Sequence, residues 1–321
     1  MFDSLGRQIT YLRVSVTDRC DLRCSYCAVP GRALLERRDI LTLEEISRIC
    51  GAFVDLGVRK IRITGGEPLV RRGVMTLFQD IGALSRLDEV TLTTNGTQLE
   101  RYAGDLVKAG VKRVNVSLDT LDGERFKTIA GRDVLEQVLN GIAAARRAGL
   151  KVKINAVVMA DTADGEIDAL IRWCGMGGLD LTLIEVMPMG PAQLPSPSKH
   201  LALRERLERR WQLTPLCERT GGPARYVRVN ATGGRLGFIT PMSSNFCEGC
   251  NRVRLTSSGL LKLCLDRGES INLRSLLQAG VSDGDLKRAI SSAIQGKPKC
   301  HDFLGAANHE GGARSMSAIG G

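Results

Sequence analysis

Aromatic residues are scarce, at 4% of the 321-residue chain. Lysine and arginine outnumber aspartate and glutamate by 45 to 35, a formal charge of +10, yet they are scattered rather than blocked. Single-stranded nucleic acid is held by stacking platforms beside positive charge. Few such pairs exist here, so no nucleic-acid partner is expected, and a phosphorylated small molecule stays open as the reason for the basic excess. No apolar run approaches the roughly 18 residues that span a bilayer, so no membrane partner is expected. Residues 1–10 lack the basic, apolar and small-residue succession of a secretory leader. The expected location is the cytoplasm.

What is present is ordinary for a globular chain: 43% hydrophobic and 25% charged residues, a balance that argues against disorder. The length suits one large α/β domain, alone or with a smaller appendage. Ten cysteines are many for a cytoplasmic protein. Disulfides are not expected in a reducing compartment, so clustered cysteines there point to metal or redox chemistry. Cys20, Cys24 and Cys27 form one group, and Cys247, Cys250 and Cys264 another. Cys50 and Cys174 fall in apolar-periodic helical stretches and read as core residues. Cys217 and Cys300 have no near partner in sequence and receive no role.

Strand and helix patterns alternate through the first two thirds. Strands are expected at 10–16, 59–64, 89–94, 112–118, 151–159 and 179–187. Helices are expected at 42–56, 74–84, 99–109, 134–148, 166–174 and 201–211, the first opened by a Thr42–Glu45 capping box. Six successive strand–helix units imply parallel strands with right-handed crossovers, in an open or partial barrel or a doubly wound sheet. A proline-rich connection covers 188–198. Beyond it come strand-like runs at 225–229 and 236–239, the second cysteine group, and helical patterns near 273–279 and 283–294. The expected division is 1–211 for the barrel and 212–321 for an α+β extension, with a glycine-rich, mobile tail from 305.

The first cysteines have the spacing C-x3-C-x2-C and directly follow the first strand. A tight loop can place three thiolates on three irons of a 4Fe-4S cube. With no fourth cysteine nearby, one iron would lack a protein ligand and could bind a substrate. S-adenosylmethionine (SAM) can chelate such an iron and be cleaved by one electron to a 5′-deoxyadenosyl radical, chemistry that belongs to the cofactor. A structural zinc site usually takes four ligands. The spacing, with Tyr26 before the third cysteine, resembles the radical SAM superfamily, whose partial (β/α)6 TIM-like barrel agrees with the strand count.

Functional residues on parallel βα folds gather at the C-terminal ends of strands. Here those ends carry the first cysteines, then Thr64-Gly65-Gly66-Glu67-Pro68, Thr93-Thr94-Asn95-Gly96, Ser117-Leu118-Asp119-Thr120 and Glu185-Val186-Met187-Pro188. Paired glycines let a ligand approach the backbone and leave carbonyls to accept from an ammonium. By resemblance to the superfamily, Gly66, Ser117 and Met187 line the SAM site and Tyr26 packs near it. Core packing remains an alternative for Met187, as does a plain turn for Asn95-Gly96.

The second group, Cys247-x2-Cys250-x13-Cys264, implies a second cluster with an open iron, or zinc completed by Cys300 or His301. Arg252 and Arg254 share one strand face at period two, and two guanidiniums suit a phosphate.

Two such groups on one βα chain resemble the molybdenum cofactor biosynthesis protein A family, the GTP 3′,8-cyclases. The resemblance covers essentially the whole chain. It includes Arg13, the segment from Lys60 to Pro68, Val152-Lys153-Ile154-Asn155, the run from Cys250 to Thr256, and the ending from Met316 to Gly321. It implies two 4Fe-4S clusters and SAM as cofactors, and GTP as substrate. The radical takes hydrogen from C3′ of GTP, C3′ bonds to guanine C8, and reduction gives 3′,8-cyclo-7,8-dihydro-GTP. By match, Arg13, Arg62, Thr93, Lys153, Arg252, Val253 and Arg254 line the GTP site, and Gly320 and Gly321 reach toward it. The family implies an electron donor, a homodimer, and delivery of product to cyclic pyranopterin monophosphate synthase. Two departures concern substrate affinity more than reaction type: Thr182 stands where the family commonly has arginine, and Ala28 where methionine is usual. The alternatives are a radical SAM enzyme acting on a peptide or RNA, and a non-catalytic iron–sulfur carrier.

Overall fold

The computed structural model describes residues 1–27, 31, 33–189, 197–218, 220–244, 246–266 and 270–303. Ala28, Gly320 and Gly321, with the rest of the tail from 305 and most of the proline-rich connection, lie outside them.

Six parallel strands follow one another as neighbours: β1 (Tyr11–Ser15), β2 (Lys60–Thr64), β3 (Glu89–Thr94), β4 (Arg113–Ser117), β5 (Lys151–Val158) and β6 (Asp180–Glu185). Helices α1 (Leu43–Asp55), α2 (Val74–Gly82), α3 (Leu99–Lys108), α5 (Leu135–Arg147), α6 (Asp164–Met176) and α7 (Pro197–Trp211) follow the strands in turn. The capping box at Thr42 is present: Glu45 N–H donates to the Thr42 hydroxyl, and the Glu45 carboxylate accepts from Thr42 N–H.

One helix was not anticipated. The short α4 (Gly123–Ala130) stands between β4 and α5. Asp122 caps it by accepting from Arg125 N–H at 2.7 Å, and Gly131 ends it at φ +69°. Only Phe126, Ile129 and Ala130 are buried along it, too few to show a helical period in sequence. Its C-terminal carbonyls matter for the site, as shown below.

The C-terminal segment adds strands to both edges of the same sheet. β7 (Leu213–Leu216), β8 (Arg225–Val229) and β9 (Arg235–Ile239) extend it beyond β6, with β9 parallel to β6. β10 (Arg252–Leu255), β11 (Leu260–Lys262) and β12 (Ser270–Asn272) extend it beyond β1, with β10 parallel to β1. The parallel run therefore has two members more than the six expected. Helices α8 (Leu273–Gln278) and α9 (Asp283–Gln295) close the described chain. Leu286, Ile290 and Ile294 recur every four residues on the buried side of α9.

Side chains alternate across a strand, and here the two faces differ in kind. Leu12, Val14, Ile61, Ile63, Val114, Val116, Val152 and Ile154 join the apolar core that includes the helices. The residues between them, Tyr11 and Arg13, Lys60 and Arg62, Arg113 and Asn115, Lys153 and Asn155, face the other way. Lys60 and Arg62 both lie over the Tyr11 ring, which places them on one face. The barrel interior is thus polar and cationic, while its outer face is the hydrophobic core.

Candidate active site

The first cysteine loop leaves the end of β1 and is fixed from three sides. Arg23 and Ser25 N–H donate to the carbonyls of Ala130 and Ile129 at the end of α4. Asp21 accepts from Asn95 Nδ2 at 2.7 Å and from Thr97 Oγ1 at 2.6 Å. Gly66 and Glu67 N–H donate to Thr17 and Arg19 carbonyls at 2.8 Å each. A β-carbon on Gly66 would stand 2.3 Å from the Arg19 carbonyl oxygen, and one on Gly65 2.7 Å from that of Thr17. Both glycines are therefore required where two backbones meet, apart from any ligand. Glu67 ties this loop to the end of β3, accepting from Leu69 and Asn95 N–H and from Thr94 Oγ1.

Cys27 N–H donates to the Cys24 carbonyl at 3.0 Å, and Leu22 N–H to the Cys20 sulfur at 3.4 Å. Burial pushes the Cys20 thiol up to about 12, with Glu67 and Asp21 adding to it. Cys24 is raised as well, by burial and then by Asp119, Cys27 and Cys20. Tyr26 donates to Asp119 at 2.9 Å, and Asp119 also accepts from Val157 N–H. A small cavity beside this pair is lined by Cys24, Tyr26, Asn95, Ser117 and Asp119. Met187 packs against the small cluster of Met189 and Phe303, as do Met242 and Leu265.

Strand register aligns the interior cations. Arg13 stands between Arg62 on β2 and Arg254 on β10, while Tyr11 stands beside Arg252. Across the barrel, Thr93 pairs with Asn115 and Asn115 with Lys153. Burial lowers Arg254 to about 10, with Arg252 adding repulsion, and lowers Arg13 well below its usual range, with Arg254 adding. Burial lowers Lys153 to about 7, with Arg62 and Arg113 adding. The buried Tyr11 hydroxyl and Asn115 Oδ1 have no hydrogen-bond partner among the described residues. Val253 belongs to the apolar core, so its backbone is what borders the interior. Thr182 is 0% exposed, and its hydroxyl likewise lacks a partner.

The second cysteine group repeats the local turn of the first: Cys250 N–H donates to the Cys247 carbonyl at 3.1 Å. Cys250 lies two residues before Arg252, which pairs with Tyr11 at the start of β1. Lys262 on the antiparallel β11 pairs with Arg254, and the chain then runs on to Cys264. The first group follows the end of β1, so the two groups stand at opposite ends of a strand about 13 Å long, with the cations between. Burial opposes ionisation of Cys250, but Arg252 and Lys297 outweigh it and bring the thiol to about 7. Cys247 is raised by burial and then by Cys250, Cys264 and Cys300, so the thiols lie within electrostatic reach of one another.

Among the described residues, no three His, Cys, Asp or Glu side chains are gathered tightly enough to share one metal ion. A cube gives each of three thiolates its own iron, whereas a structural zinc usually takes four ligands. The donor set and the favoured thiolate at Cys250 both fit such a group.

Sequence reasoning missed Tyr11, Tyr226, Arg113, Arg7 and Lys297. The same-face period on β1 and β4 could have found Tyr11 and Arg113. The contacts of Tyr226, Arg7 and Lys297 run between segments far apart in sequence and leave no local signal.

Comparison with known proteins gives the same division of chemistry. Residues 14–174 match the radical SAM superfamily and residues 179–303 match Molybdenum Cofactor Synthesis C. A Brucella canis relative called GTP 3′,8-cyclase is 53% identical over 332 residues, covering 100% of this chain and 96% of the relative. A Rhizobium meliloti relative of the same name is 53% identical over 329 residues, covering 100% and 94%. Among solved structures, Streptococcus suis SuiB bound to S-adenosylmethionine is similar in fold, at 19% identity and TM-score 0.64, over 89% of this chain and 68% of that one. Among the described residues no helix is long and apolar enough to cross a membrane. With full-length identity above half and both family regions in order, the chain belongs to the GTP 3′,8-cyclase family of the radical SAM superfamily.

Proposed function

We propose that the protein converts GTP to (8S)-3′,8-cyclo-7,8-dihydroguanosine 5′-triphosphate, the first step of molybdenum cofactor biosynthesis. The observation that carries this reading is the register of Arg62, Arg13 and Arg254 in one row, between two three-cysteine groups. A triphosphate satisfies that row, and each charge-assisted hydrogen bond contributes about 1.5–3 kcal/mol.

In this reading Cys20, Cys24 and Cys27 hold one 4Fe-4S cluster, and Cys247, Cys250 and Cys264 hold a second. When bound, the first cluster and SAM supply hydrogen abstraction from C3′. Tyr26, Gly66, Ser117 and Met187 hold SAM. Arg13, Arg62, Thr93, Lys153, Arg252, the Val253 backbone and Arg254 hold GTP. Residues 1–211 form the radical-generating unit and 212–321 close the substrate side, which keeps water from a reactive intermediate. The protein acts in the cytoplasm as a homodimer, takes electrons from a separate donor, and delivers its product to cyclic pyranopterin monophosphate synthase.

A peptide substrate would not need a buried cationic interior, and an RNA would call for stacking platforms beside the cations, which are scarce in a chain with 4% aromatic residues. Anaerobic incubation of reconstituted protein with GTP, SAM and dithionite tests the reading. Cyclised nucleotide and 5′-deoxyadenosine should form together. Absence of the cyclised nucleotide from protein with both clusters loaded overturns it.

A further inference from the structure

Two buried cations outside the GTP row between them reach every segment that carries a cysteine of the second group. Arg7 is 9% exposed and Lys297 4%. Arg7 Nη1 donates to the carbonyl of Cys247 and to that of Lys299, at 3.0 Å each. Its Nη2 donates to the carbonyls of Pro298 at 2.8 Å and Lys297 at 3.3 Å. Its Nε pairs with Asp3 at 2.6 Å, and Asp3 also accepts from the N–H groups of Leu5 and Arg7. Lys297 turns the other way. Its ammonium donates to the carbonyl of Arg252 at 2.8 Å, two residues after Cys250, and to that of Leu263, next to Cys264.

A guanidinium has five donors in a fixed fork and an ammonium has three on a flexible stem. Buried cations are costly unless each donor is used, and these two spend theirs on backbone carbonyls rather than on carboxylates, Asp3 excepted. Carbonyl contacts fix chain path. They also leave net positive charge beside three thiols that must be anionic to bind iron.

We propose that Arg7 and Lys297 are positioning residues of the second cysteine site: together they hold the three cysteine-bearing segments in one frame, ready for a cluster. The proposal rests on the reading that the second group is a cluster site. Groups behind metal ligands typically set affinity by about 10–100-fold, and here that role falls on main-chain anchors, 240 and more residues away in sequence for Arg7 and 34 and 45 for Lys297.

The test separates the two sites. One parent carries Cys20→Ser, Cys24→Ser and Cys27→Ser, leaving the second group. The other carries Cys247→Ser, Cys250→Ser and Cys264→Ser, leaving the first. Each is reconstituted with iron and sulfide, and iron loss to a ferrous chelator is followed with time. Lys297→Met should speed loss about tenfold in the parent with the second group and leave the other parent unchanged. Arg7→Lys keeps the charge but cannot span the same carbonyls, and it serves as the second variant should Lys297→Met not fold. Equal rates with and without either substitution overturn the proposal, as does equal acceleration in both parents, which marks a global defect. If the parent with the second group binds no iron before any further substitution, the second-cluster reading itself falls, and this one with it.

Discussion

The Lys153 ammonium donates to the Tyr226 hydroxyl at 2.7 Å, joining the barrel strand β5 to β8 of the C-terminal segment. Lys153 also lies over the Tyr226 ring, 5.0 Å from its centre. The lysine is kept near half-charged at neutrality, at about 7, by burial and then by Arg62 and Arg113. Its unfolded counterpart titrates at 10.5. Between those values the unfolded chain binds more protons, so this group makes stability rise with pH across that window. A triphosphate reverses the preference by favouring the charged form. GTP binding at pH 8 should therefore take up a proton, and KM for GTP should rise from pH 7 to 9. Calorimetry in buffers of different ionisation heat reads the uptake directly. Lys153→Met should abolish it, and a binding heat independent of buffer in the unsubstituted protein would contradict the assignment.

Tyr226→Phe removes the hydroxyl that accepts from Lys153 and meets Thr220 Oγ1 at 3.1 Å. The loss costs about 1 kcal/mol, so KM for GTP should rise about fivefold with kcat little changed. Gly237→Ala approaches the same ring from behind. Its β-carbon would stand 2.9 Å from Tyr226 Cε1 and 3.0 Å from Thr182 Oγ1. Steady-state kinetics should show the same KM increase, with a stability loss of about 1–3 kcal/mol from overpacking. An unchanged KM in both variants would detach Tyr226 from the substrate site.

Gly66→Ala tests the backbone contact at the first cysteine loop. Neither the Arg19 carbonyl nor the glycine turn is a flexible side-chain end, so the 2.3 Å approach cannot be relieved cheaply. The expected result is selective loss of the first cluster. Iron should fall from about eight to about four per chain, and 5′-deoxyadenosine formation should vanish with and without GTP. Full iron content in the variant would show that the loop tolerates the added carbon.

Much of this was legible in the chain itself. The βα period placed β1 to β6 within a few residues because their apolar faces alternate cleanly against helices. The first cysteines stand out by their spacing, and Gly66 and Ser117 by their place at strand ends together with the superfamily resemblance. That same rule hid the position of the second group, which lies at the starting end of β1. Its place depends on Arg252 pairing with Tyr11 across 241 residues of chain, which no local pattern encodes. Helix α4 escaped because it is short, and β7, β11 and β12 because strands of three or four residues carry too few alternations. Arg7 and Lys297 carry no local signal because their partners are main-chain carbonyls distant in sequence.

In the proposed function, the radical made beside Cys20, Cys24 and Cys27 acts on GTP held by the cations of the interior. Mass analysis of 5′-deoxyadenosine after anaerobic turnover with GTP deuterated at C3′ tests this. Singly deuterated 5′-deoxyadenosine should form in step with the cyclised nucleotide. Unlabelled 5′-deoxyadenosine, or labelled product without cyclisation, would contradict it.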